Sequence, residues 1–396
     1  MQSVGSQQNY ARAAAPLAAA LACLQPGIDP VFLTLLSNAT QVPLAAHGVI
    51  VGGTQAGAAL GSLAVWRLGS ALPYWAVIAA AAVALLCSLA TALVDDIAAA
   101  LPIRCLYGLM MGMVYAYTMA AYAARRPNKA YGAVFLIQLL LSTLVSVFLP
   151  EIELALGADA ALAMLALAPA TALGALVMMS GRAPHGDAAP RGEVRATVPV
   201  AGWALAAATF WFICSTMLVW SFAAALATSS GIGDRTIGHA VAIGSIVGAL
   251  TAFAVMREKS LLPLPVTALL AGAALAAPIA LIAPGADAAF VASIILLNIG
   301  STAIIIRCSG RAAATSTDSR FRTFVACTHS LGLIAGPVLG TVMMSLFGPM
   351  GLLAGLLFAL SAGLGAILWA FSAGLPGGAG TRSRPLAANV VGSNIA

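Results

Sequence analysis

Asp29 and Arg104 are the two charged residues that fall well inside long apolar runs of this 396-residue sequence. Ionised side chains at such depth are costly and mark ion or substrate pathways. An acid there can take up and release a proton, and a guanidinium can grip a carboxylate through two parallel hydrogen bonds. Arg307, nearer the end of its run, is close enough to one face to snorkel. His47, His239 and His329 are secondary candidates for proton coupling, because the second half of the chain has no deep acid and histidine is the only ordinary carrier left. Gln25, Gln138 and Asn298 are candidates to hydrogen-bond a solute, and Trp211, midway along its run, to stack on a planar one. Interhelical hydrogen bonding, interfacial anchoring and core packing are the plain alternatives for each of these.

The elements that must carry these residues are membrane helices. The sequence is 61% hydrophobic and 8% charged, with a mean hydropathy of +1.01, whereas soluble domains carry roughly 25% charge. Apolar runs of about 20 residues recur along the chain, long enough as helices to cross a core of about 30 Å. A β-barrel would show short alternating segments instead. Twelve helices are expected, beginning near Ala13, Val42, Leu72, Ile97, Tyr131, Ala158, Val198, Thr236, Leu261, Asp287, Phe324 and Pro349. No removable signal peptide is read at the start.

Asp29 lies in "LQPGIDPVFLTLL". Pro26 and Pro30 each remove a backbone donor and Gly27 adds freedom, so a break in helix one is expected there, with the freed groups lining a cavity. Two readings of Asp29 follow. As the N-cap of a half-helix starting at Pro30 it would accept from the amides of Val31 or Phe32 and stay ionised; as a coupling acid it would pair with Arg104 in one state and be protonated in another. Counted from the expected helix ends, both residues sit roughly 10 to 12 Å below the same membrane face.

Loop charges set the expected topology. Arg12, Arg67, Arg125, Arg126, Lys129, Arg182, Arg191, Arg195, Arg257, Lys259, Arg311, Arg320, Arg322, Arg382 and Arg384 fall on one side. Asp95, Asp96, Glu151, Glu153, Asp159, Asp234 and Asp287 fall on the other, with Arg235 the one loop cation among them. The positive-inside rule then places both termini in the cytoplasm and the chain in the cytoplasmic (inner) membrane. The polar stretch "GRAPHGDAAPRGEVRAT", which holds His185, divides the chain. Residues 1–180 are read as a six-helix bundle, 181–197 as a cytoplasmic linker, 198–375 as a second six-helix bundle and 376–396 as a cytoplasmic tail. Gly53, Gly57 and Gly61 in segment two and Gly244 and Gly248 in segment eight suggest related halves with closely approaching helices. The net charge of +6 is spread as topology signals rather than as a patch with interleaved aromatics, so no nucleic-acid partner is expected. The six cysteines have no metal spacing, and neither a metal nor a cofactor is implied.

Local motifs carry a family resemblance over the whole chain. Arg104, Gly108 and Gly112 in "RCLYGLMMG", followed by Arg125 and Arg126 in the next loop, and Gly61, Leu63 and Ala64 in "GSLAVWRLGS", resemble the major facilitator superfamily. Val65 stands where that family has an aspartate, and Arg67-Leu68-Gly69 is displaced by one residue. Gly332, Gly336, Pro337 and Gly340 in "GLIAGPVLG" are similar to a glycine-proline motif that antiporters of the family carry in helix five. The resemblance implies twelve helices in two pseudo-symmetric bundles, with helices one and four lining a central cavity. It implies alternating access by a monomer embedded in the lipid bilayer, acting on a small-molecule substrate. With Asp29 and Arg104 as the charged core, proton-coupled uptake of an organic anion is the leading expectation. Efflux of amphipathic compounds is the rival, and a non-transporting sensor or scaffold is a third reading. No paired acids, Ser/His arrangement or nucleotide-binding loop points to an enzyme.

Overall fold

The structure, a computed structural model, describes residues 14–39, 47–94, 96–180, 197–257, 262–281 and 286–374. Residues 181–196 of the expected linker at 181–197, the expected tail at 376–396, Arg12, Asp95 and Lys259 lie outside the described residues, as do the side chains of His47 and Asp234. Among the described residues the chain is all-α with no strand. Residues 14–22 form α1. It is followed by α2 (Gln25–Ala39), α3 (His47–Leu68), α4 (Tyr74–Thr91), α5 (Ile97–Tyr122), α6 (Pro127–Leu156), α7 (Ala158–Met164) and α8 (Leu167–Ser180). Then come α9 (Val200–Ser229), α10 (Asp234–Val255), α11 (Leu264–Ala280), α12 (Asp287–Ala314), α13 (Ser319–Phe347) and α14 (Pro349–Ser372).

Among the described residues, ten helical runs, α7 and α8 counted as one, are long and apolar enough to cross a membrane; α11 is a shorter apolar helix. The chain is thus a multi-pass membrane protein. Large apolar side chains such as Leu60, Leu86, Leu250, Leu270 and Leu357 are exposed, as expected where the surrounding solvent is hydrocarbon.

Four helix starts, Ile97, Ala158, Asp287 and Pro349, fall where the apolar pattern predicts them. Others do not. Helix α13 begins at Ser319, five residues before the expected Phe324, because Asp318 caps it by accepting from the Arg320 amide at 2.9 Å. Arg320 and Arg322, read from the sequence as loop cations, are therefore helical. Helix α6 likewise starts early, at Pro127, where a missing amide hydrogen costs nothing.

Helix α3 packs along α5, and α10 along α12; α9 is enclosed by α12, α13 and α14. The first and second halves meet where α3 and α5 lie against α13 and where α6 lies against α10 and α12. The seam between α3 and α5 is built on glycine. A Cβ at Gly57 or Gly61 would strike the backbone carbonyl of Cys105 or Leu109, and one at Gly108 or Gly112 would strike that of Thr54 or Ala58. Each helix therefore supplies the space its neighbour's backbone fills, which is how helices associate when lipid offers no hydrophobic drive. Two joints also depend on glycine. Gly157, between α6 and α7, has φ 90 and ψ 163, and Gly348, between α13 and α14, has φ 62 and ψ −152. Such a backbone is essentially restricted to glycine and lets a single residue reverse the chain.

Candidate functional site

The first helix is broken at Cys23 and Leu24, where the amide of Leu24 bonds back only three residues, to the Leu21 carbonyl at 3.3 Å. Helix α2 begins at Gln25, so Pro26 occupies its first turn, where no donor is required. This corrects the expected position of the break at Pro26 to Pro30 and removes the capping role for Asp29. The residue lies inside α2, not before a half-helix. Its carboxylate instead accepts from Gln25 Nε2 at 2.8 Å, one turn back on the same helix. Gln55 of α3 lies beside the same carboxylate, and its own Nε2 has no hydrogen-bond partner. All three side chains are buried.

Arg104 projects from α5 into the same region and is 2% exposed. Its guanidinium lies over the rings of Phe32 and Tyr107, 4.4 Å from each centroid. Cation–π contact of this kind contributes on the order of 2 kcal/mol when desolvated. The two rings hold the plane but use none of its hydrogens. Nε and Nη2 have no hydrogen-bond partner, and no ion pair within 4 Å joins Arg104 to Asp29. A buried donor left unmade costs about 1–3 kcal/mol, more when charged. The arrangement is chemically that of a held cation with free donors beside a carboxylate that accepts from one amide, Gln25.

A small cavity of about 20 Å³, room for about one water, lies next to these groups. Gln25 of α2, Gln55 of α3, Tyr107 and Tyr115 of α5, and His329 and Ser330 of α13 line it. Helices of both halves thus converge on it. His329 is ten residues beyond the start of α13 rather than the expected five, because the helix begins at Ser319. Its ring packs against Tyr115 at 5.3 Å and edge-on against Phe135 at 5.6 Å, with Nε2 lacking a partner.

Beside His329 a latch joins the halves. Ser62 Oγ donates to the Gly112 carbonyl at 3.1 Å and shares a 2.9 Å bond with Ser330 Oγ, while Cys327 Sγ donates to the Ser62 carbonyl at 3.0 Å. Further along, Trp66 packs on Phe324 at 5.4 Å and lies under the Arg320 guanidinium at 5.8 Å.

Of the remaining expected residues, Gln138 joins the break: its Oε1 accepts from Cys23 Sγ at 3.2 Å. One turn on, the buried Ser142 hydroxyl has no partner and stands where a Cβ on Gly27 would be. Asn298 does not reach the cavity. It bonds its own helix at the Ile294 carbonyl, 2.9 Å away, and fills the space opposite Gly244 and Gly248. Trp211 faces Phe210 and, edge-on at 5.4 Å, Phe358 of α14, away from the residues that line the cavity. His239 is exposed near the start of α10.

Gln55, Tyr107, Ser62 and Ser330 were not singled out from the sequence. The available signals were a glutamine inside the glycine stripe of α3 and a tyrosine one helical turn after Arg104. Among the described residues, no group of His, Cys, Asp or Glu could hold a metal ion. The chain matches no protein-family model and no curated protein sequence.

Proposed function

We propose that the chain is a secondary active transporter that takes up a small organic anion by alternating access, with Asp29 carrying the coupled proton and Arg104 the substrate's negative charge. The single observation behind this reading is the buried Arg104 guanidinium, held by two rings with unused donors and not ion-paired to the neighbouring Asp29, next to a cavity shared by both halves. A carboxylate of the substrate would satisfy Nε and Nη2 together. The resemblance to the major facilitator superfamily fits the same picture. Adding α11 and the broken first helix to the ten long runs gives twelve spans. Gly157 and Gly348 then occupy equivalent joints, between the fifth and sixth spans of each half, supporting related bundles. On this reading both termini and the basic loops face the cytoplasm, and the latch at Ser62, Ser330 and Trp66 closes the cytoplasmic side.

The test is flux in vesicles reconstituted with the purified protein and a panel of labelled organic acids. Asp29→Asn is expected to abolish uptake driven by a pH gradient yet retain exchange of labelled for unlabelled substrate. Loss of both would assign Asp29 to structure. Efflux of amphipathic compounds is the rival favoured by the rings of Phe32, Tyr107, Tyr115 and Phe135 around the site; depletion of such compounds from expressing cells, without accumulation of acids, would establish it.

A further inference from the structure

A second and larger cavity, about 410 Å³, opens where the connection between α5 and α6 meets the ends of α10, α11 and α12. Its size falls in the range of ligand sites, about 300–1,000 Å³. The described residues lining it include Arg125, Arg126, Lys129, Arg257, Arg307 and Arg311, with no carboxylate among them. The first three cations belong to the first half and the last three to the second.

Two contacts force these like charges together. Asn128 Nδ2 donates to the carbonyls of Val255 at 3.1 Å and Arg257 at 3.4 Å. Gly310 of α12 backs onto the same asparagine so closely that a Cβ would lie 2.6 Å from the Asn128 Cα. The loop is thereby pinned into the corner between α10 and α12 with its cations facing theirs. Charges spread over a wet surface would account for Arg125, Arg126 and Lys129, which are exposed. They do not account for Arg307. It is 7% exposed, donates through Nη1 to Thr267 Oγ1, itself part of the wall, and keeps Nη2 buried without a partner. A desolvated guanidinium with a free donor at the floor of a cationic cleft is the chemistry that recognises phosphate oxygens.

We propose that this cleft binds a phosphate-bearing anion that bridges the two halves. The shared chemistry is a phosphate group, carried either by an anionic lipid, since basic pockets between membrane helices bind such headgroups, or by a soluble phosphate.

The experiment measures the thermal midpoint of the purified full-length protein in neutral detergent. One arm titrates inorganic pyrophosphate against sodium chloride at matched ionic strength; the other adds phosphatidylglycerol against phosphatidylcholine. A saturable rise over the matched control is expected in at least one arm. A rise in the lipid arm alone identifies a headgroup, and one in the pyrophosphate arm alone a soluble anion. Two double variants keep the test independent of folding at the buried Arg307. Arg257→Gln with Arg311→Gln, and Arg125→Gln with Lys129→Gln, should each at least halve the rise, because the anion needs both halves. Arg67→Gln, a cation outside the cleft, should preserve it. No rise in either arm, or a rise undiminished in either double variant, would overturn the proposal. The assay needs no transported substrate, so its failure leaves the transport reading untouched.

Discussion

The seam between α3 and α5 and the seam between α10 and α12 solve the same packing problem differently. In the first, glycines on both helices alternate, and backbone meets backbone at Gly57, Gly61, Gly108 and Gly112. In the second, Gly244 and Gly248 on α10 receive side chains from α12, chiefly Asn298 and Ile294. The first seam admits no new atom on either side. The second is a glycine groove filled by a polar side chain that satisfies itself on its own helix. The difference tracks chemistry, since the buried acid and the ring-held guanidinium stand beside the first seam, whereas the second carries only an amide. A fixed scaffold is what a charged site requires, because misplacing an ion in a poorly screened medium costs far more than misplacing an amide.

Breaking the first seam should have the largest effect. Gly57→Ala is expected to destabilise the protein by about 3 kcal/mol, at the upper end for overpacking, because the added methyl meets a carbonyl in a neighbouring backbone. Gly248→Ala should stay within about 1 kcal/mol of the parent, since its methyl meets the movable end of Leu139 at 3.1 Å and gains helix propensity. Thermal midpoints of the two purified variants decide the matter, and equal losses would dissolve the contrast. Next in size is the charge itself. Arg104→Gln should lower uptake of an organic acid by about 10- to 100-fold, the worth of hydrogen bonds to a charged group, with the midpoint largely retained; a binding assay with labelled substrate separates this from misfolding. Asn298→Ala should have the smallest effect, about 0.6 kcal/mol of stability, typical of a polar contact between membrane helices, and leave uptake unchanged. A large loss of uptake there would return Asn298 to the substrate path.

Much of the architecture was legible because lipid imposes a simple grammar of apolar length and glycine spacing. The starts at Ile97 and Asp287 and the glycine stripe of α3 follow from it. What the grammar misread were residues that satisfy themselves in ways a linear pattern does not record. Arg320 resembles a loop cation until Trp66, far away in sequence, is seen beneath it. That single misreading placed His329 too shallow. Proline positions alone put the break of the first helix a few residues late, since Pro26 opens a helix as readily as it interrupts one. The cationic cleft was hidden for the opposite reason: its members already had explanations, Arg307 as a snorkelling side chain and the others as topology signals, and only the docking of Asn128 brings them face to face. Trp211 stood out by its place in the chain, but its ring packs on Phe210 of its own helix and Phe358 of α14.

The interlocked glycines also govern how the molecule can deform. Two rods meshed at every turn cannot slide or roll past one another without lifting apart, so α3 and α5 must travel as one piece. Any large excursion therefore has to be taken up elsewhere, and the hydroxyls and rings around Ser62, Ser330 and Trp66 are suited to that duty, being contacts that can part and re-form without rupturing a helix.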